Sequence, residues 1–348
     1  METLIAIALA LLVTTSTTKV EYAEKLEEKE IYNASRTRLN DLIHTDLSVR
    51  FDWEKQHLLG TAELTLKPYF HSTDELILDA KGFDIHSVSM NGEEVLYDYD
   101  NLLLDIQLDR VYDRTEDYII IIKYTAKPNE LAVEGSSAIT DAKGLYFINP
   151  LGEDKNKPMQ IWTQGETEAS SCWFPTIDSP NERTTQNIDI TVKKNFTTLS
   201  NGLLVKSVEN EDGTRTDYWE QKLGHTPYLA MMAVGEFNIT YDKWEDKDVT
   251  YYLEDDYHKN ARAIFGRTPD MIDYFSDLLG VDYPWEKYAQ VVVRDFVSGA
   301  MENTTAVIHG EFVQMTDREL VDRHEDDIIA HELFHHWFGD LVTCESWA

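Results

Sequence analysis

Between residues 46 and 237 the chain is written in short β-branched and aromatic runs, broken by Gly and Pro at roughly strand spacing. Residues 118–124 read Tyr-Ile-Ile-Ile-Ile-Lys-Tyr, which suits a buried strand. Ile188, Ile190 and Val192 alternate with polar residues, as on a half-buried strand. Asn91-Gly92 and Asn201-Gly202 are pairs that accept positive φ, and each stands between strand-like runs, which predicts two hairpins. The pattern predicts a mainly β domain over 40–243, its antiparallel sheets packed as a saddle or sandwich.

The pattern changes near Trp244. Residues 249–253 form a short strand, and 257–279 carry Ile264, Met271, Ile272, Phe275, Leu278 and Leu279 at helical spacing. Gly280 suits the left-handed position after a helix. Residues 290–296 form a strand around Val291, Val292 and Val293, and Asp317 can cap a last long helix that ends near Gly339. Strands and helices alternate here, so 244–348 reads as the beginning of an α+β domain.

That last helix contains His331-Glu332-Leu333-Phe334-His335. Residues four apart stand above one another on one face, so two imidazoles there can grip one ion. Such nitrogen ligands suit zinc, and Glu332 is placed to take a proton from an activated water. By chance the pattern arises in roughly one chain per hundred of this length, so its setting matters. Ile328, Ile329, Ala330, Leu333, Phe334, Trp337 and Phe338 surround it, and a polar set inside so apolar a helix needs partners. His324 and His336 fall off the ligand face. Glu345 follows His335 too closely, just past Gly339, to be an obvious third ligand, and reads as an ordinary carboxylate.

Gly299-Ala300-Met301-Glu302-Asn303 follows the valine strand directly, as an exposed edge would. An edge can pair with an extended peptide through its backbone. Glu302 would then offer a carboxylate to the first residue, and a free α-ammonium is the natural cation to balance it.

Together these motifs resemble peptidase family M1, the zinc aminopeptidases of the gluzincin group. The Gly-Ala-Met-Glu-Asn pentapeptide and the continuation of His-Glu-x-x-His into Trp337-Phe338-Gly339-Asp340-Leu341-Val342-Thr343 carry the likeness. So does Gln164-Gly165-Glu166 ahead of Trp173-Phe174-Pro175 and Asp178-Ser179-Pro180. The resemblance implies a thermolysin-like catalytic domain over 244–348, one Zn2+ per full-length chain and release of N-terminal residues from peptides. It implies that Glu166 joins Glu302 around the substrate amine and that Gln164 lines the pocket for the first side chain. The backbone of Gly299, Ala300 and Met301 is implied to hold the substrate chain. In the family a third ligand, a glutamate, comes nineteen residues after the second histidine, which here falls beyond Ala348. The expectation is therefore that activity belongs to a longer parent and that the 348-residue chain is a fragment with little zinc affinity, no turnover and apolar surface left uncovered. Two other readings stand beside it: a zinc endopeptidase, and a non-catalytic peptide-binding form of the fold. Glu at 166, where family members with epoxide-hydrolase activity tend to carry Gln, leans against that side activity.

Charge narrows the partners. Acidic residues outnumber basic ones 64 to 31, a net charge of −33 that repels nucleic acid and anionic lipid and attracts cations. Cys172 and Cys344 make no disulfide framework. The apolar run at 4–13 is too short to span a bilayer and suits a signal peptide over 1–18, with a charged connector over 19–39. This predicts export to a periplasmic, cell-surface or secreted location, with a cytoplasmic one as the alternative. Asn33, Asn195, Asn238 and Asn303 open N-x-S/T sequons. A glycan on Asn303 would block the cleft, which favours a host or compartment without N-glycosylation.

Overall fold

Alternating burial along Thr184–Lys193 and Tyr118–Ala126 puts one face of each strand against a core and leaves the other wet. Both lie inside an eight-stranded sheet. Its order is Leu203–Glu209, Thr214–His225, Thr184–Lys193, Asn40–Asp52, His57–Pro68, Tyr118–Ala126, Phe83–Met90 and Glu93–Glu94. Ile120 and Ile122 are buried while Ile119 is exposed, so the isoleucine run is covered on one side only, as an outward-facing sheet allows. Asn40–Asp52 runs parallel to Thr184–Lys193, and the other pairs are antiparallel. The sheet is thus mixed rather than wholly antiparallel as predicted. The long segment between those two strands easily supplies the crossover that parallel pairing needs.

The computed structural model describes residues 36–347, and these form one compact unit. The signal-peptide reading, most of the connector and Asn33 lie outside the described residues. No helix among the described residues is long and apolar enough to cross a membrane.

Asn91 and Gly92, at φ +54° and +85°, make the predicted hairpin, with Met90 opposite Glu93. Asn201-Gly202 does not. Gly202 has φ +69°, but Thr197–Ser200 before it and Leu203–Glu209 after it belong to different sheets. The pair turns a corner from the eight-stranded sheet to a four-stranded one formed by Thr197–Ser200, Met232–Gly235, Gln160–Thr163 and Leu145–Ile148. A three-stranded sheet of Thr73–Asp79, Leu103–Tyr112 and Tyr97–Tyr99 completes the β-rich portion.

Beyond it lies a five-stranded sheet in the order Asn238–Trp244, Lys247–Leu253, Lys287–Val293, Ala306–Gly310 and Ala300–Met301. Four helices accompany it: α1 (Asp255–His258), α2 (Ala261–Phe265), α3 (Thr268–Leu279) and α4 (Asp326–His335). The single helix predicted over 257–279 is broken into three. Pro269 can sit only in a first turn, because it lacks an N–H and its ring would strike the carbonyl four residues back. Gly280 ends α3 at φ +65°, as expected. The last helix begins at Asp326 and not near Asp317, which instead pairs with Lys259 at 2.7 Å. Thr316 and Glu319 bond reciprocally and cap only a 3-10 turn, Glu319–Val321. A mainly β N-terminal portion followed by an α+β region is therefore the architecture.

Candidate metal centre and substrate cleft

Helix α4 turns Ile329 and Leu333 into an apolar cluster with Trp285, Tyr288 and Trp337. Full burial of one such aliphatic side chain contributes about 1.5–3 kcal/mol, so the helix can roll little. Its end is pinned as well. Trp285 Nε1 donates to His336 O at 2.9 Å, and Trp337 Nε1 donates to Val281 O at 3.0 Å. With that face fixed, His331 and His335 stand one turn apart on the open side, their ring centroids 4.8 Å apart.

The two Nε2 atoms converge to 3.1 Å. His335 Nδ1 donates to Phe338 O at 3.0 Å, which leaves the Nε2 lone pair facing its neighbour. Zinc–nitrogen bonds of about 2.0–2.1 Å at tetrahedral angles would set two nitrogens about 3.3–3.4 Å apart. The observed spacing and the fixed tautomer fit such an ion. Gly339, at φ +150°, lets the chain fold under the ring, since a Cβ there would stand 3.1 Å from His335 Nδ1. His336 is turned away and buried. Its Nδ1 donates to Glu332 O and its Nε2 accepts from Thr305 N, as suits a structural residue. Glu345 accepts a bond from Asn181, and no group of three His, Cys, Asp or Glu able to hold a metal occurs among the described residues.

Glu332 is 5% exposed, and its carboxyl is pushed up to about 9, by burial first and then by Glu302 and Glu166. Burial and Glu302 raise the Glu166 carboxyl too, partly offset by His335. A cation in the cleft would relieve all three groups. Ala300–Met301 is the outer strand of its sheet, with Ala300 opposite His309, so its far side is open along the cleft. The Gly310 amide donates to Gly299 O at 3.0 Å and fixes the strand's start.

One cleft of about 600 Å³ gathers Glu166, Ser298, Gly299, Ala300, Glu302, Asp327, Glu332 and the two histidines, with Ile328 at one side. Glu166 comes from the end of Gln160–Thr163 in the four-stranded sheet, and Glu302 from the five-stranded sheet; only folding brings them together. The Glu166–Thr167 peptide is cis. Gln164 and Met301 are not on the cleft wall. Gln164 is 1% exposed and accepts from Glu166 N, and Met301 packs on Tyr228 and Leu229. Gly165 between Gln164 and Glu166 must be glycine, since a Cβ would lie 2.2 Å from Tyr228 O.

Asp327 was missed from the sequence. It stands four residues before His331, hence on the same helix face, and that spacing was the signal available. Asn303 is fully buried and donates to Leu229 O at 3.3 Å. The folded chain therefore offers no glycan acceptor there, and the argument for a host without N-glycosylation falls.

Two family descriptions match the chain: a Peptidase M1 N-terminal domain over residues 30–229 and a Peptidase family M1 domain over residues 264–348. A glutamyl aminopeptidase of Sus scrofa is 30% identical over 341 residues, covering 92% of this chain and 35% of that protein. A protein named probable aminopeptidase 2, from Sulfurisphaera tokodaii, is 25% identical over 81% of this chain and 34% of its own length. The chain thus spans about a third of the length of these relatives. The crystal structure of an M1 zinc metallopeptidase from Deinococcus radiodurans has a similar fold, with TM-score 0.71 and 21% identity over 91% of this chain and 68% of that one.

Proposed function

The chain belongs to peptidase family M1, and from that premise we propose that it supplies most of the active site of a zinc-dependent aminopeptidase. The observation that carries the reading is the meeting, in one cleft, of converged imidazoles, a buried carboxyl beside them and two further carboxylates from separate sheets. His331 and His335 would hold the ion, with a third ligand supplied from outside the described residues. When bound, zinc supplies a Lewis acid that polarises a carbonyl and acidifies water.

The protein's own groups do the rest. The open edge at Gly299, Ala300 and Met301 takes the peptide backbone as an added strand. Glu166 and Glu302 bind the α-ammonium, which fixes the scissile bond one residue from the N-terminus. Glu332 takes a proton from the attacking water and returns it to the leaving amine. Its burial suits a group that must hold and release a proton near neutral pH. Gln164, from behind the wall, orients Glu166 through the bond to its amide. The partners are peptides with a free N-terminus.

Chemistry with an aminoacyl-anilide and its N-acetylated twin tests the assignment in the full-length, zinc-loaded protein. The free-amine substrate should be cleaved and the acetylated one spared; equal cleavage of both would instead support an endopeptidase. Export is part of the proposal, guided by the apolar run at 4–13. Sequencing the N-terminus of the protein from its native host should find residues up to about 18 removed; an N-terminus still carrying the run would overturn the cleaved-signal reading.

A further inference from the structure

Neither Glu166 nor Glu302 has a hydrogen-bond or ion-pair partner for its carboxylate among the described residues, although the two repel each other. Nothing at the side chains sets their spacing, so the backbone must. One connection between them runs through a short turn, Pro227–Leu229; farther from the cleft, Gln160 and Trp162 also bond the backbone of Arg294. On the Glu166 side, Gly165 packs under Tyr228 O, Ser170 Oγ donates to Pro227 O at 2.7 Å, and Met232 N donates to Thr163 Oγ1 at 3.0 Å. On the Glu302 side, Met301 packs on Tyr228 and Leu229.

Asn201 joins the two sides. It is 1% exposed, and its Nδ2 donates to Leu229 O at 2.9 Å and to Thr304 O at 2.7 Å. Its Oδ1 accepts from Met231 N at 2.7 Å, so amide orientation and bonding are fully determined. Gly202 N donates to Thr305 Oγ1 at 2.7 Å, a second tie from the same corner. Gly202 can make that tie because a Cβ would otherwise sit 1.9 Å from Glu220 O. Buried Lys287 donates to Ser200 O and to Thr305 O and Oγ1, closing the knot from below.

We propose that Asn201 is a positioning residue for amine recognition: by bonding the turn behind Glu166 and the strand exit after Glu302 at once, it sets the separation of the two carboxylates. The inference rests on the aminopeptidase reading, since it concerns how that reading's ammonium site is held. Both carboxylates line the one cleft and act on each other as like charges.

The test measures binding of L-leucinamide and of its N-acetylated form to the full-length, zinc-loaded protein. The unaltered protein should prefer the free amine at least about tenfold, as a charge-assisted contact with two carboxylates requires. Asn201→Asp keeps the shape and the acceptor for Met231 N but removes both donated bonds. Asn201→Ala removes both donated bonds without placing a carboxyl in the buried corner. In either variant the preference should fall toward unity. A merely structural role would lower the melting temperature and weaken both ligands alike, leaving their ratio intact; a preserved ratio in either folded variant overturns the proposal. If Asn201→Asp does not fold, Asn201→Ala decides alone. Absence of any preference in the unaltered protein would sink the aminopeptidase reading itself, and this inference with it.

Discussion

Four carboxyls line the cleft, and they differ in their surroundings. Glu332 is enclosed by the helix and its neighbours, whereas Glu166 and Glu302 are only half-buried. Glu332→Gln should lower kcat of the active protein by about 10²–10⁴-fold, the usual size of a lost general base. Bound zinc, measured by atomic absorption, should stay unchanged. Asp327 lines the same cleft one helical turn before His331, on the wall that also holds Ser298 and Gly299. A peptide with its amine at Glu302 and its backbone along the Gly299–Ala300 edge carries its later residues past that wall, and no Lys or Arg lines the cleft. Peptides with Lys in second position should therefore be cleaved about 2–5-fold faster than those with Glu, the range of an exposed ion pair, and Asp327→Asn should level the two. Competition assays with paired dipeptides measure it. Away from the site, Asp178 is fully buried, and burial pushes its carboxyl up to about 7, against the amide of Ser171 and the charge of Lys81, which favour the anion. The neighbouring Asp79 charge raises it further. Unfolded, the same group loses its proton near its ordinary value of 3.8. From about pH 4 to 7 the folded state binds more protons, so stability falls as pH rises through that window. Asp178→Asn removes this contribution, and its melting temperature relative to the unaltered chain should improve from about pH 4 to about pH 8. An unchanged difference across that range would count against the burial argument.

At the scale of elements, helix α4 and the edge Ala300–Met301 were legible because their signals are local. An i, i+4 spacing within an apolar helix is settled by the geometry of one helix, and a Gly-Ala pair following a strand by the geometry of one edge. Starts and stops were less legible. A helix from Asp317 is the local expectation, but Thr316 and Glu319 satisfy each other in a 3-10 turn, and the helix begins only at Asp326. The turn at Gly165, just past the strand Gln160–Thr163, depends on Tyr228, a neighbour far along the chain. Gly165→Ala would force its Cβ against Tyr228 O, so the segment carrying Glu166 must move. That variant should raise KM for free-amine substrates more than it lowers kcat, since Glu332 and the histidines lie on another element. A steady-state comparison of the two constants checks it.

For the whole molecule, the apolar interior runs without a break from the β-rich portion into the five-stranded sheet, through Tyr252, Val291 and Ile308. This continuity joins the sheets on which the two sides of the cleft are built. Among the described residues no third His, Cys, Asp or Glu joins the two imidazoles in a metal-holding group, and a catalytic zinc takes three protein ligands. Residues 36–347 alone should accordingly bind zinc weakly. Calorimetric titration of the 348-residue chain should find no tight stoichiometric zinc site. Phe338, Leu341 and Val342 are exposed beside the helix end.

Sequence alone determined the groups that repeat at short range: the imidazole pair, its adjacent carboxyl, the edge pentapeptide and the alternating strands. Each follows from the period of one element, which neighbours in the chain impose on one another. Tertiary structure alone decided that Asn201 ties a corner instead of a hairpin, that Gln164 and Met301 stand behind the wall, and that Asn303 is sealed from modification. Those outcomes depend on which distant backbone carbonyls and side chains arrive beside each residue. A local period carries no information about them, because the contacts form only when separate sheets pack.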